Sequence, residues 1–137
     1  IKFLGEIDNS VKIDFKFTHE KIMLICDSEQ ISRVFLNLIK NSLESIHEKK
    51  LKMSDFTKKI NIEIIHKSDY IEFIIEDNGV GFPKKNLDNL LKPYFTTKAK
   101  GSGLGLSIVN KIINDHNGLL KFISLDNGAK IEIKFRK

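Results

Sequence analysis

The sequence predicts an α/β fold in which a mixed sheet carries its helices on one face. Three observations predict it: several segments alternate apolar and polar residues at strand period, two others repeat at helical period, and turn residues separate them. In chain order the elements read β, β, α, β, β, loop, α, β, β.

Val11, Ile13, Phe15 and Phe17 fall on one face of an extended segment, which predicts a half-buried strand over 11–17. Lys21 to Cys26 reads as a second short strand, with Cys26 a buried free thiol in its apolar run. Asp27, followed three residues later by Gln30, is a helix start of capping-box type, so a helix is predicted from Ser28 to His47. Its buried stripe is Ile31, Val34, Phe35, Leu38, Ser42 and Ile46, and Asn37, Asn41 and Glu44 form a second, polar stripe beside it. Glu48 to Lys59 is polar and reads as a loop or frayed helix end. Ile60 to His66 and Tyr70 to Glu76 then form a hairpin across Lys67 to Asp69. The cluster Asp77 to Pro83 ends the second of these strands. Asn86 to Leu91 predicts a short helix, and Leu106 to His116 a longer one closed by Asn117-Gly118. Leu119 to Leu125 and Lys130 to Phe135 are the last strands, turning at Asp126-Asn127-Gly128.

The length suits one domain, taken as 1–137. The chain opens on Ile1 without the charged-then-apolar pattern of a signal peptide, and the expectation is a piece excised from a longer protein. No apolar run approaches the roughly 18 to 20 residues that cross a bilayer, so no direct membrane contact is expected here, although a parent chain has room for an inner-membrane anchor elsewhere. One cysteine fits a reducing, cytoplasmic setting. The net charge of +5 is spread over lysines interleaved with acids, without the basic, aromatic-laced stripe of a nucleic-acid binder. It suits solubility and attraction of a polyanion such as a nucleotide.

Gly101, Gly103 and Gly105 stand directly before a helix, where backbone N–H groups can approach a phosphate, though a plain flexible turn has the same look. The dinucleotide and phosphate-loop patterns both fail: Leu106 stands where a third glycine belongs, and no Gly-Lys-Ser/Thr triplet occurs. Asn37 and Asn41 are either surface amides or oxygen donors for magnesium, a hard cation that takes its other ligands from water and nucleotide phosphates. Asp77 is either a simple turn residue or, beside a backbone kept thin by Gly79 and Gly81, an acceptor for the adenine amino group.

Taken together, four segments resemble the motifs of the GHKL ATPase superfamily and, within it, of the histidine-kinase catalytic ATP-binding domain (HATPase_c). Arg33 to Glu44 resembles the N box and Asp77-Asn-Gly79-Val-Gly81 the first glycine box. Pro93-Tyr-Phe95-Thr-Thr-Lys98 resembles the F box and Gly101-Ser-Gly103-Leu-Gly105-Leu106 the second glycine box. The resemblance implies the Bergerat fold, a two-layer α/β (α+β) sandwich whose mixed sheet is mostly antiparallel. It implies ATP and Mg2+ as cofactors, Asn41 on the metal, and Asp77, Gly79 and Gly81 at the adenine. Phe95, Thr96, Thr97, Lys98 and the run Gly101, Ser102, Gly103, Leu104, Gly105, Leu106 would lie along the phosphates, in a lid that orders when ATP binds. Asn37 stands where gyrase-like and chaperone-like relatives carry a glutamate that activates water, and an amide cannot act as that base. Glu44 stands where many kinases have lysine, which leaves Lys40 as the local cation. The short lid resembles nitrogen-regulation sensor kinases of the NtrY and NtrB kind, and Ile113 to Gly118 leans toward NtrY.

The expected function is donation of the ATP γ-phosphate to a histidine on a separate dimerisation domain, with a response regulator downstream. The piece alone should bind nucleotide without autophosphorylating. His19-Glu20 has the look of a phosphoacceptor pair but lies between predicted strands rather than on a long helix. The alternative is an ATP-gated conformational module of gyrase or chaperone type, whose marks, a glutamate at 37 and a long lid, are missing.

Overall fold

A computed structural model describes residues 9–17, 21–83, 85, 87–93 and 104–137. Its elements are β1 (Lys12–Phe17), α1 (Ser28–Lys52), β2 (Lys59–His66), β3 (Tyr70–Asp77), a 3-10 turn (Leu87–Leu91), α2 (Gly105–Asp115), β4 (Gly118–Leu125) and β5 (Gly128–Arg136). The five strands form one sheet in the order β1-β2-β3-β5-β4. Only β1 and β2 pair in parallel, and the helix between them is the crossover that a parallel pair needs. The other three pairings are antiparallel. A mixed, mostly antiparallel sheet with its helices on one face is therefore what the chain builds.

Register explains where the core sits. Ile62, Ile75, Ile131 and Phe122 line up across four strands, as do Ile64, Phe73, Ile133 and Leu120. Against these rows α1 presents Ile31, Val34, Leu38 and Ile46, and α2 presents Val109, Ile112 and Ile113, all of them buried. Phe35 of α1 tilts onto Phe73 with ring centroids 5.0 Å apart. The helices pack on each other, α1 on β3 and α2 on β4. The opposite face of the sheet is charged, with pairs such as Lys16–Glu63 at 2.9 Å and Lys130–Glu132 at 2.9 Å. Such exposed pairs add little stability and mark a solvated face.

Five expectations need correction. Lys21 to Cys26 is not a strand: Leu24 turns inward against the core, and among the described residues the segment joins no ladder of the five-stranded sheet. Cys26 is exposed rather than buried, since the segment only approaches the N-cap of α1. On β1 the alternating face is uneven, with Ile13 against the core but Phe15 and Phe17 exposed at the sheet edge. The helix α1 runs past His47 to Lys52, where the pair Glu48–Lys52, 3.0 Å apart, spans its last turn. The expected short helix near 86–91 is a 3-10 turn. His19-Glu20 lies outside the described residues. Among them no helix is long and apolar enough to cross a membrane.

Candidate functional site

Two sets of predicted residues meet along α1. The first surrounds Asp77, the last residue of β3, which is 6% exposed. Its Oδ1 accepts the Gly79 N–H at 2.9 Å, and Ser45 Oγ lies 3.5 Å from the same oxygen. Burial pushes the Asp77 carboxyl above the ordinary carboxylate range. Bonds from the Gly79 backbone, the Ser42 and Ser45 hydroxyls and the Ala129 backbone pull it the other way. A buried carboxylate ringed by donors is a directional acceptor, which a simple turn residue would not need to be.

The backbone around it leaves no room for side chains. A Cβ on Gly79 would stand 2.5 Å from the Ser45 carbonyl carbon and 2.7 Å from the Ile46 nitrogen, so the turn lies directly on α1. On the other side Gly128, at φ +133°, brings the β4–β5 turn so close that a Cβ there would sit 1.8 Å from the Asp77 carbonyl oxygen. Asn78 ties the turn to the start of β2: its Oδ1 accepts the Lys59 N–H at 2.9 Å and its Nδ2 donates to the Thr57 carbonyl at 2.6 Å. Lys49 of α1 donates to the Asn78 carbonyl at 2.8 Å, and the Val80 N–H reaches the Ser45 carbonyl at 3.3 Å.

The second set lies where α2 begins. A Cβ on Gly105 would be 3.6 Å from Asn37 Oδ1, so the first residue of α2 faces the Asn37 amide. Leu104, at the N-cap of α2, gives no side-chain hydrogen bond to the helix. Asn41, one turn beyond Asn37, shares that flank of α1. Lys40 is exposed and pairs with Glu44 at 4.0 Å, on the rim rather than inside. Leu106 is half-buried against the core. Phe95, Thr96, Thr97, Lys98, Gly101, Ser102 and Gly103 lie outside the described residues.

Sequence reasoning passed over Ser45, Lys49, Asn78 and Gly128, and counted Ser42 as one more stripe position. The signal available was Ser42 itself, because a hydroxyl on a buried stripe must find a partner.

The donor set fits a nucleotide and a hard cation. Asn37 and Asn41 offer neutral amide oxygens on the flank that meets the start of α2, and Asp77, at the end of β3, offers an oriented acceptor beside the other half of α1.

A family model described as histidine kinase-, DNA gyrase B-, and HSP90-like ATPase matches residues 26–137. A Rickettsia conorii protein named as an NtrY-like sensor histidine kinase is 36% identical over 130 residues, which cover 94% of this chain and 21% of that protein. The sensory histidine kinase/phosphatase NtrB of Rhizobium leguminosarum is 35% identical over 108 residues, 68% of this chain and 26% of its own. Among solved structures, a nucleotide-free catalytic domain of the histidine kinase ThkA superposes with a TM-score of 0.78 at 27% identity, covering 93% of this chain and 80% of that one. The chain thus spans about a fifth to a quarter of the length of these curated relatives.

Proposed function

The chain belongs to the family of histidine kinase-, DNA gyrase B- and HSP90-like ATPases, and from that premise we propose that it is the ATP-binding catalytic domain of a sensor histidine kinase. The observation that carries the reading is Asp77: a buried carboxylate, held by donors from two elements, at the end of a strand whose turn is pressed flat against α1. Its chemistry selects a base with an amino donor where adenine has one and guanine has a carbonyl, because an ionised carboxylate only accepts.

Asn41 would hold magnesium through its amide oxygen, and Lys40 would lend positive charge at the rim. The metal, when bound, neutralises charge on the phosphates. The protein's part is positioning: Asp77 fixes the base, while Asn37 and the backbone at the start of α2 fix the phosphate end. The γ-phosphoryl group then passes to a ring nitrogen of a histidine on a separate dimerisation domain and leaves ADP behind. The cognate response regulator takes the phosphoryl group in turn. By itself this piece binds nucleotide without autophosphorylating. The amide of Asn37, placed beside Gly105, disfavours the gyrase or chaperone alternative, since an amide cannot take a proton from water.

Calorimetric titration with ADP and GDP, with magnesium or a chelator, tests the reading. The wild type should bind ADP more tightly than GDP, and Asp77→Asn should lose about 1.5–3 kcal/mol of ADP affinity, the usual range for a hydrogen bond to a charged group. Equal affinity of wild type and variant overturns the assignment.

A further inference from the structure

Ser42 is the odd member of the buried stripe of α1. It stands one turn from both Leu38 and Ile46 and is 2% exposed, where alanine would fill the same space without a hydroxyl to desolvate. Its hydroxyl favours the ionised form of Asp77 across the helix–sheet interface, and Ser45, three residues on, brings a second hydroxyl to 3.5 Å from Asp77 Oδ1. With the Gly79 N–H at 2.9 Å on that oxygen and the Ala129 backbone from β5, the carboxylate meets donors from α1, from its own turn and from the neighbouring strand. The charged group on the same turn is the Lys49 ammonium, bound to the Asn78 carbonyl.

We propose that Ser42 and Ser45 are positioning residues for base selection: their hydroxyls fix the rotation of the Asp77 carboxylate and hold it as an acceptor-only anion aimed at the exocyclic amine. The inference rests on the reading of Asp77 as the base acceptor. Discrimination follows from hydrogen-bond inventory. An ionised carboxylate can pair with the amino group of adenine but not with the carbonyl that replaces it in inosine or guanine, whereas a protonated carboxyl has an O–H that can serve that carbonyl. Burial favours the protonated form, and the two serine hydroxyls oppose it. Helix α1 thereby sets which base is accepted without touching it.

The test uses the wild type, Ser42→Ala, Ser45→Ala and Ser45→Thr, the last restoring a hydroxyl at a half-buried position. Each Ser→Ala change removes one oxygen and nothing else, and circular dichroism checks that the fold is kept. ADP and IDP affinities are measured by calorimetry from pH 5.5 to 8.5, and the Asp77 carboxyl carbon is followed by NMR titration without nucleotide. The alanine variants should lose about tenfold of the ADP-over-IDP preference at the acid end. The preference should return toward alkaline pH, and the Asp77 titration should move upward. Ser45→Thr should follow the wild type. Alanine variants that keep the wild-type ratio at every pH, with Asp77 titrating unchanged, overturn the serine role while leaving Asp77 as the base acceptor. A wild type with no preference for ADP overturns the base-acceptor reading and this inference with it.

Discussion

Substituting Gly79 by alanine tests the packing that aims Asp77. The added Cβ would meet Ser45 Oγ at 2.2 Å, the Ser45 carbonyl carbon at 2.5 Å and the Ile46 nitrogen at 2.7 Å. A hydroxyl can rotate away, but the other two atoms are backbone in the middle of a 25-residue helix. Turn and helix must therefore separate by roughly 1 Å to restore ordinary contact in a close-packed interior. Overpacking of this kind costs about 1–3 kcal/mol. The same displacement stretches the 2.9 Å bond from the Gly79 N–H to Asp77, and a hydrogen bond to a charged group is worth about 1.5–3 kcal/mol. A total loss of about 3–5 kcal/mol is expected, a large share of the 5–15 kcal/mol that holds a typical domain together. Urea unfolding gives the stability, and an ADP titration on the folded fraction gives the binding. A variant within about 0.5 kcal/mol of wild type in urea, binding ADP normally, would show that the turn does not lean on α1 as described.

Asn41→Ala should abolish most of the difference between ADP binding with magnesium and with a chelator while leaving the far-UV spectrum unchanged; an unaltered magnesium response refutes its place on the metal. Leu38→Ala, at a fully buried position of α1, should cost about 2–5 kcal/mol in urea but leave ADP affinity near wild type where the domain is folded. The Asp77 carboxyl titrates higher in the folded chain than in the unfolded one. Between its ordinary value near 3.8 and that raised value the unfolded state ionises first, so this residue makes stability fall as pH rises and leaves a constant penalty at neutral pH. Asp77→Asn should therefore gain on the wild type in thermal melts of the nucleotide-free domain as pH climbs through that window, and a difference that stays flat from pH 3 to 7 refutes the burial argument.

What could be read from the sequence was whatever local chemistry decides. The start of α1 is one case: Asp27 and Gln30 announce it, and the Gln30 N–H does bond Asp27 Oδ1 at 3.0 Å. Asn117, which ends α2 at φ +54°, is another. The end of α1 was hidden because Glu48 to Lys52 have no apolar repeat; part of what holds that turn is tertiary, through Lys49 on the Asn78 carbonyl. Lys21 to Cys26 misled for the opposite reason. It has strand-like alternation, but a strand exists only where a backbone ladder forms, and here Leu24 packs on the core as the segment runs into the N-cap of α1. In the site, Asp77 and the asparagines stood out as motif residues, whereas Asn78 and Gly128 act through chain segments 19 and 51 positions away, which no local spacing reveals.

Both ends of the site hang on one helix, and that bears on how it can work. Asn37 meets the start of α2, while Ser45 meets Asp77 and its turn, eight positions further along α1. At 1.5 Å per residue that is about 12 Å along a rigid axis, so the helix spaces Asp77 from the start of α2. The spacing also sets direction. Each residue turns the helix by about 100°, and the α2-facing flank at 37 and 41 passes into the Asp77-facing flank at 42 and 45 only because Ser42 and Ser45 share the sheet side of α1 with Leu38 and Ile46. One residue more or fewer between Asn41 and Ser45 would swing one end off its target whichever end stayed in place. On the proposed function a phosphoryl group is presented in line to a nucleophile from another domain with little covalent help from the protein, so accuracy of placement would be most of the catalysis. A single helix carrying both contacts supplies that accuracy with fewer moving parts than two loops could.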